Sequence, residues 1–525
     1  MTVAALVACA VSVTPIPVPT RVHIATKTAP PLRATVIPIR TPTVAPTNTA
    51  SVLLSTPVPV TLAPVATNVS QPIAAAPKNN IMAYEASVRL DAYPYEPFLR
   101  DERDPATNII FKAFDRAAYE NAAAASGRHP KTFRAIVLEN EYLKVTLIPA
   151  LGGRIFQITY KPTGQNLLYN NQVLKPTPWG MPQQDGWLAA GGIEWAFPTQ
   201  EHGFEWNAAW DAQILREANG VSVVLADSQA NDRPRVQVRV TLPAHAAYLA
   251  ISPRIENPTA QPLRLQFWTN ALLNLGATGR IPAQTEFIFP TDAVFVHSTA
   301  NEWIPGDVIP KDNARMPSAA VSFSNLAGRD LRWYANWDNY LGVFAANPHA
   351  PELAQAFVGA YNYENRLGIA RIFSPQQTPG VKLFAWGPNF CCRDRFTDDD
   401  SEYLELWGGM TRTFFPDDDV TLQPGEMRAW TEYILPLPDT NGVSAATSDF
   451  AMTVQTQPDR VILTAYAAAR RDAVLVLKHD AREIKRWSIS FQPAQHFQEQ
   501  IAITERPLQL QLQDRDGNVI LEVRN

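Results

Sequence analysis

The sequence predicts an all-β fold: one large antiparallel sandwich followed by a small all-β unit. Three observations carry this. Apolar and polar residues alternate with period two in segment after segment beyond residue 130. Arg235–Leu242 shows it most plainly, with Val236, Val238, Val240 and Leu242 facing one way. Helix formers gather in a single early stretch, AFDRAAYENAAAA (Ala113–Ala125), ahead of Ser126-Gly127. Turn signals such as Gln423-Pro424-Gly425 and Asp516-Gly517-Asn518 separate the runs. Strands without intervening helices, over some 350 residues, imply sheet packed on sheet.

The elements follow in order. Residues 1–9 open MTVAALVAC, apolar but too short to span a bilayer. Leu6-Val7-Ala8-Cys9 resembles the lipobox of bacterial lipoproteins, although no basic stretch precedes it. Residues 10–80 are rich in Pro, Thr, Val and Ala and offer no core, so they read as a disordered, polyproline-like tether. As a flexible chain it would reach about 45 Å. Order is expected from near Met82, with an extended, proline-punctuated strand over Val88–Leu99. The large sandwich occupies 81–437. Its strands are expected within Arg134–Tyr160, Val221–Leu225, Arg235–Leu242, Leu263–Phe267, Phe287–Phe289 and Ala293–His297. Further on come Leu331–Tyr334, Leu341–Ala345, Val381–Trp386, Tyr403–Trp407 and Met427–Leu435. Pro436–Ser448 reads as a connecting loop. The small unit, 448–525, has strands at Val461–Ala465, Ala473–Lys478, Trp487–Phe491 and Leu508–Leu512, closed by a hairpin at Asp516-Gly517-Asn518.

Composition narrows the function classes. The chain has 525 residues, 46% hydrophobic and 18% charged, and a net charge of −5 without a basic block; nothing favours a nucleic-acid partner. Three cysteines (Cys9, Cys391, Cys392) make no disulfide framework. No zinc spacing, phosphate-cradling loop or Ser-His-Asp arrangement appears, and no cofactor or metal is expected. The acid runs Asp398-Asp399-Asp400 and Asp417-Asp418-Asp419 read as solvated loop tips rather than calcium ligands.

One stretch stands apart. Pro178–Trp210, PWGMPQQDGWLAAGGIEWAFPTQEHGFEWNAAW, holds five of the thirteen tryptophans, with His202, Asp185, Glu194, Glu201 and Glu205. It has neither helical nor strand periodicity and reads as a loop-rich binding segment on a β scaffold. Indole faces suit the C–H faces of sugar rings, and acids and imidazole hydrogen-bond hydroxyls. Packing is the ordinary role of any one of these tryptophans.

Gly191-Gly192-Ile193-Glu194-Trp195-Ala196-Phe197-Pro198 resembles the G-G-I-P-x-x-F-P segment of the aldose 1-epimerase (galactose mutarotase-like) superfamily. His202-Gly203-Phe204-Glu205-Trp206-Asn207-Ala208-Ala209-Trp210 resembles its H-G-F-x-R-N-x-x-W segment. Leu151-Gly152-Gly153-Arg154-Ile155 looks like an early strand of the same proteins, and YKPTGQN and KLFAWG look like phrases of a bacterial branch. The resemblance covers about 85–435. It implies a β-supersandwich whose concave face takes a carbohydrate. His202 would contact sugar hydroxyls, Trp210 would support the loop, and Arg154, Trp187, Glu194, Glu205 and Trp206 would line the site. Trp206 stands where the family places an arginine, and Glu194 replaces a proline, which favours a neutral over a phosphorylated sugar. Chemistry at the anomeric carbon needs a base and an acid. The resemblance gives Glu405, in Tyr403-Leu404-Glu405-Leu406-Trp407, as the base, while strand alternation also allows it to be an outward-facing residue. The family's histidine is missing from Leu263–Gly279; His297 or His349 could substitute for it, each more ordinary as a strand or loop residue.

Two functions therefore compete: an enzyme acting on the anomeric centre of a neutral sugar or oligosaccharide (epimerase, glycosidase or lyase), with Glu405 and His202 catalytic, and a non-catalytic glycan-binding lipoprotein. The lipobox-like start and tether place either outside the cytoplasm, lipid-anchored at a bacterial surface or secreted.

Overall fold

The computed structural model describes residues 81–180, 183–198, 201–289, 291–300, 303–309, 319–346 and 355–524. The lipobox-like segment, the tether and His349 lie outside the described residues. Two large sheets, of thirteen and nine strands and antiparallel but for the pairing of Met82–Ala92 with Val173–Leu174, pack face to face. Six neighbouring strands of the larger one organise the site: β1 (Arg154–Tyr160), β2 (Gly192–Ala196), β3 (Trp268–Leu273), β4 (Leu341–Ala345), β5 (Gly380–Ala385) and β6 (Leu404–Gly409), in spatial order β4-β5-β6-β3-β2-β1.

Alternation along these strands divides the sheet into two faces. Ile193, Ala271, Leu406, Leu383 and Val343 lie toward the smaller sheet and join Val238, Val240 and Ile369 in the main core. The opposite, outer face is covered as well. Trp187, Leu188, Trp206, Phe390, Phe396 and Tyr403 form a second core over one part of it, and Trp268, Phe344, Trp407, Phe414 and Phe415 an aromatic cluster over another.

Glycines set the spacing of these layers. Gly191 and Gly192 have φ of +87° and +81°, and a Cβ would come within 2.1 Å of the Tyr169 carbonyl oxygen and 2.3 Å of the Ile155 carbonyl oxygen, respectively. Gly408 and Gly409 on β6 make room in opposite directions, Gly408 for the Arg371 guanidinium between the sheets and Gly409 for the Trp268 indole outside them.

Several sequence expectations move. The helix runs Arg116–Ser126, because Ile110–Phe114 is a strand and Asp115 caps the first turn through a 3.0 Å bond from the Ala118 N–H. The opening strand is Met82–Ala92 and stops before Pro94. Leu331–Tyr334 is turn and the start of a 3-10 turn, Tyr334–Asn336, rather than strand. Ala356–Asn362 and Leu367–Phe373 are strands that show no alternation, since both their faces are buried. Strand Glu432–Pro438 continues into what reads as a loop. The acid runs are not free tips: Asp398 accepts from Lys175 at 2.6 Å and from Arg128 at 3.2 Å, and Asp418 accepts the Thr413 N–H at 3.0 Å.

Beyond Pro438 the chain forms two four-stranded sheets, one of Ala445–Ala446, Phe450–Thr456, Arg460–Ala467 and His496–Ala502, the other of Arg482–Phe491, Arg471–His479, Leu508–Gln513 and Val519–Arg524. They enclose their own core of Leu463, Leu475, Phe491 and Leu510.

Candidate functional site

Register alone places four polar or aromatic side chains in one row across the outer face. Glu194 on β2 pairs with Asn270 on β3, Asn270 with Trp407 on β6, and Trp407 with Lys382 on β5. One step along, Glu405 on β6 stands between Leu272 and Phe384. His202 arrives from the loop after β2. The result is a charged seam between the two outer aromatic clusters, with side chains of Glu194, His202, Lys382 and Glu405 only 2%, 6%, 3% and 4% exposed.

Glu194 is the hub. One carboxylate oxygen engages His202 Nδ1 at 2.7 Å and accepts from Asn270 Nδ2 at 3.0 Å. The other accepts from the Trp187 indole at 3.0 Å and faces Arg154 at 3.4 Å. Burial pushes this carboxyl up, but His202, Arg154 and the Asn270 amide outweigh it and hold Glu194 below the usual carboxylate range. The His202 ring lies on Trp187 with centroids 3.8 Å apart and tilts against Trp407 at 5.2 Å. A carboxylate on Nδ1 fixes the orientation of the ring.

Glu405 has the opposite environment. It accepts from the Trp407 indole at 2.6 Å, and Lys382 Nζ is 3.7 Å away. Burial raises its pKa above the usual range; Lys382, His202 and Trp407 oppose that rise without cancelling it, and Glu194 adds to it. Lys382 sits over Trp407 at 4.4 Å, Phe414 at 5.0 Å and Phe384 at 5.5 Å. Burial lowers the pKa of its ammonium against the pull of Glu405 and Glu201. His297, beside Phe344 and Phe414, is held well below the usual imidazole range by burial and by Lys382.

The structure thus brings together Glu194, His202, Trp187 and Glu405 among the residues singled out from sequence. Arg154 reaches them through Glu194, but most of its guanidinium is engaged by the Leu151 and Gly191 carbonyls at 3.0 and 2.6 Å. Three others point elsewhere. Glu205 shares the Arg233 guanidinium with Asp227, at 2.9 and 2.5 Å. Trp206 donates to Gln184 at 3.0 Å, and Trp210 packs on Gly153 in the main core. Lys382 and Asn270 escaped the sequence reading. The available signal is a polar residue inside a mostly apolar strand, Lys382 in VKLFA and Asn270, beside Thr269, in WTNALL. Among the described residues no group of three or more His, Cys, Asp or Glu side chains is placed to hold a metal ion.

Residues 113–437 match the model of a domain of unknown function, DUF5107. The chain belongs to that family. Residues 445–523 match the second domain of YphG-like proteins. The DUF5107 sheets are similar in fold to a TPR-domain containing protein from Parabacteroides distasonis, at 21% identity and a TM-score of 0.53, over 68% of this chain and 55% of that one. The chain therefore spans little more than half of that protein. Other solved structures of similar fold are mostly galactose mutarotase-like. One from Clostridium acetobutylicum has 12% identity and a TM-score of 0.40, over 58% of this chain and 94% of that one. A galactose mutarotase related enzyme from Lactobacillus acidophilus has 13% identity and a TM-score of 0.37, over 58% and 98%. The DUF5107 chain is thus an all-β sandwich of antiparallel sheets.

Proposed function

We propose that the outer-face seam is a carbohydrate site acting at the anomeric centre of a neutral sugar or oligosaccharide. The observation that carries the reading is a pair of proton-carrying groups on one face: His202, fixed at Nδ1 by Glu194, and Glu405, whose carboxyl burial raises above the usual range. In the simplest reaction Glu405 takes the proton of the anomeric hydroxyl while His202 Nε2–H protonates the ring oxygen. The C1–O5 bond breaks, C1 becomes the open-chain aldehyde, and rotation about C1–C2 followed by the reverse steps closes the other anomer. Trp187 and Trp407 supply apolar faces for the ring. The seam's carboxylates offset Lys382 and Arg154, which suits an uncharged ligand. An extracytoplasmic, lipid-anchored location rests on the lipobox-like Cys9 and the Pro/Thr-rich stretch behind it.

The test is a thermal-shift and glycan-array screen of the protein against neutral mono- and oligosaccharides, followed by NMR of the anomeric protons of each hit. Anomer exchange or bond cleavage supports the reading. Binding without chemical change would make the protein a glycan-capture module, and no binding at all would leave the seam a packing device.

A further inference from the structure

A cleft of about 510 Å³ opens where the DUF5107 sandwich meets the YphG-like unit. One wall is Glu141-Tyr142, in a turn between two strands of the larger sheet, with Lys161-Pro162 just beyond β1. The other wall is the loop Gln492–Gln495. Arg154, which faces Glu194, begins β1, and Tyr160 ends it. Six steps of extended chain, about 20 Å, therefore separate the cleft from the seam.

The two walls are tied to one another through the backbone. Asn140 Nδ2 donates to the Pro243 and Ala246 carbonyls at 2.7 and 2.8 Å, and its Oδ1 accepts the Tyr142 and Leu143 amides, both at 2.8 Å. Ala246 in turn bridges to Ala469 of the second unit, and the Ala247 N–H donates to the Ala468 carbonyl at 2.7 Å. Next along the chain, Arg470 donates to the Gln492 side-chain oxygen at 2.9 Å. Ala494 has a φ of +63°, a conformation few non-glycine residues adopt, and packs against the main core. The cleft is thus held open at a set width before any ligand arrives.

Its lining selects the ligand. Tyr142, Pro162 and Pro493 offer flat apolar faces, while the Gln492 and Gln495 amides and the Glu141 carboxylate offer hydrogen bonds. Burial and the neighbouring Glu141 push the Tyr142 phenol up to about 12, so it stays a neutral hydroxyl. The one cation of the lining, Lys161, is already engaged by Glu139 and by the Asn140 carbonyl, each at 2.7 Å, which leaves little attraction for a phosphate or carboxylate. Apolar C–H faces rimmed by uncharged hydroxyls match this set, and the volume falls among small-molecule sites of about 300–1,000 Å³. We propose that the cleft between the two units is a second carbohydrate site, which holds a neutral oligosaccharide without converting it. Glu141 is the only carboxyl in the lining and no imidazole accompanies it, so an acid–base pair is lacking there. The ligand class follows from the lining alone and does not depend on chemistry at Glu405.

The experiment is calorimetric titration of the full chain with cellotetraose, maltotetraose and xylotetraose, in wild type, Tyr142→Ala, Gln495→Ala and Glu405→Gln. The expected result is a tetrasaccharide that binds wild type and Glu405→Gln alike and binds both cleft variants about tenfold more weakly. Gln495 is exposed, so Gln495→Ala keeps the test valid even where Tyr142→Ala lowers the Tm. Wild-type affinity in both cleft variants would overturn the proposal, as would a wild-type chain that binds none of the three. Neither result touches the seam, which monosaccharide anomer exchange tests separately.

Discussion

Two buried glutamates, one on each side of the larger sheet, are built from the same parts and differ in how completely they are satisfied. Glu432, between the sheets, is gripped by Arg371 through two bonds of 2.7 Å and by the indole of Trp430, two residues back on the chain, at 3.0 Å. Glu405, on the outer face, is held by the indole of Trp407, two residues ahead, and has a lysine at 3.7 Å instead of an arginine fork. A planar guanidinium meets both carboxylate oxygens and fixes the charge, whereas an ammonium at that distance stabilises it only partly. The first arrangement is a closed structural pair. The second leaves a buried carboxyl with a raised pKa, the condition a proton carrier needs. Even the room for the inner pair comes from the outer glutamate's own strand, since Arg371 lies against Gly408.

The contrast breaks most visibly at the inner pair. Arg371→Ala leaves Glu432 buried without its cation, and chemical denaturation is expected to show a loss of about 3–5 kcal/mol of stability. At the outer glutamate the loss falls on function. Glu405→Gln keeps an acceptor for Trp407 but no base, and anomer exchange is expected to fall about 100-fold or more with sugar binding retained. Lys382→Met sharpens the comparison. Without the ammonium, burial raises the Glu405 carboxyl further, so the acid limb of the pH profile should move to higher pH, while Lys382→Arg should restore it.

The smallest effect concerns Glu205 and Asp227, which share one guanidinium and are both raised by burial. A raised carboxyl binds more protons in the folded than in the unfolded chain. Stability from this pair is therefore full in acid and declines as pH rises above the ordinary carboxylate range. Asp227→Asn should flatten the fall of Tm with pH.

Much of the fold is written in alternation, and it is legible where one face of a strand is polar. Arg235–Pro243 shows it along its whole length. Leu367–Phe373 hides it, because all seven residues are buried and its arginine faces a partner on another strand. The site divides the same way. Glu194 and His202 drew attention within an aromatic, glycine-bearing stretch, yet that stretch also supplied Trp206 and Trp210, which pack. Lys382 and Asn270 are silent in the sequence, because a polar residue in a mostly apolar strand gains its meaning only from register, which sets Asn270 beside Glu194 and Lys382 beside Trp407.

The most direct measurement is anomeric-proton exchange by NMR with the full chain, comparing wild type and Glu405→Gln on whichever neutral sugar shifts the Tm. Exchange above the buffer rate in wild type, lost in Glu405→Gln while binding persists, is the expected result. Equal exchange in both proteins would remove Glu405 from the chemistry and make its raised carboxyl a feature of burial alone.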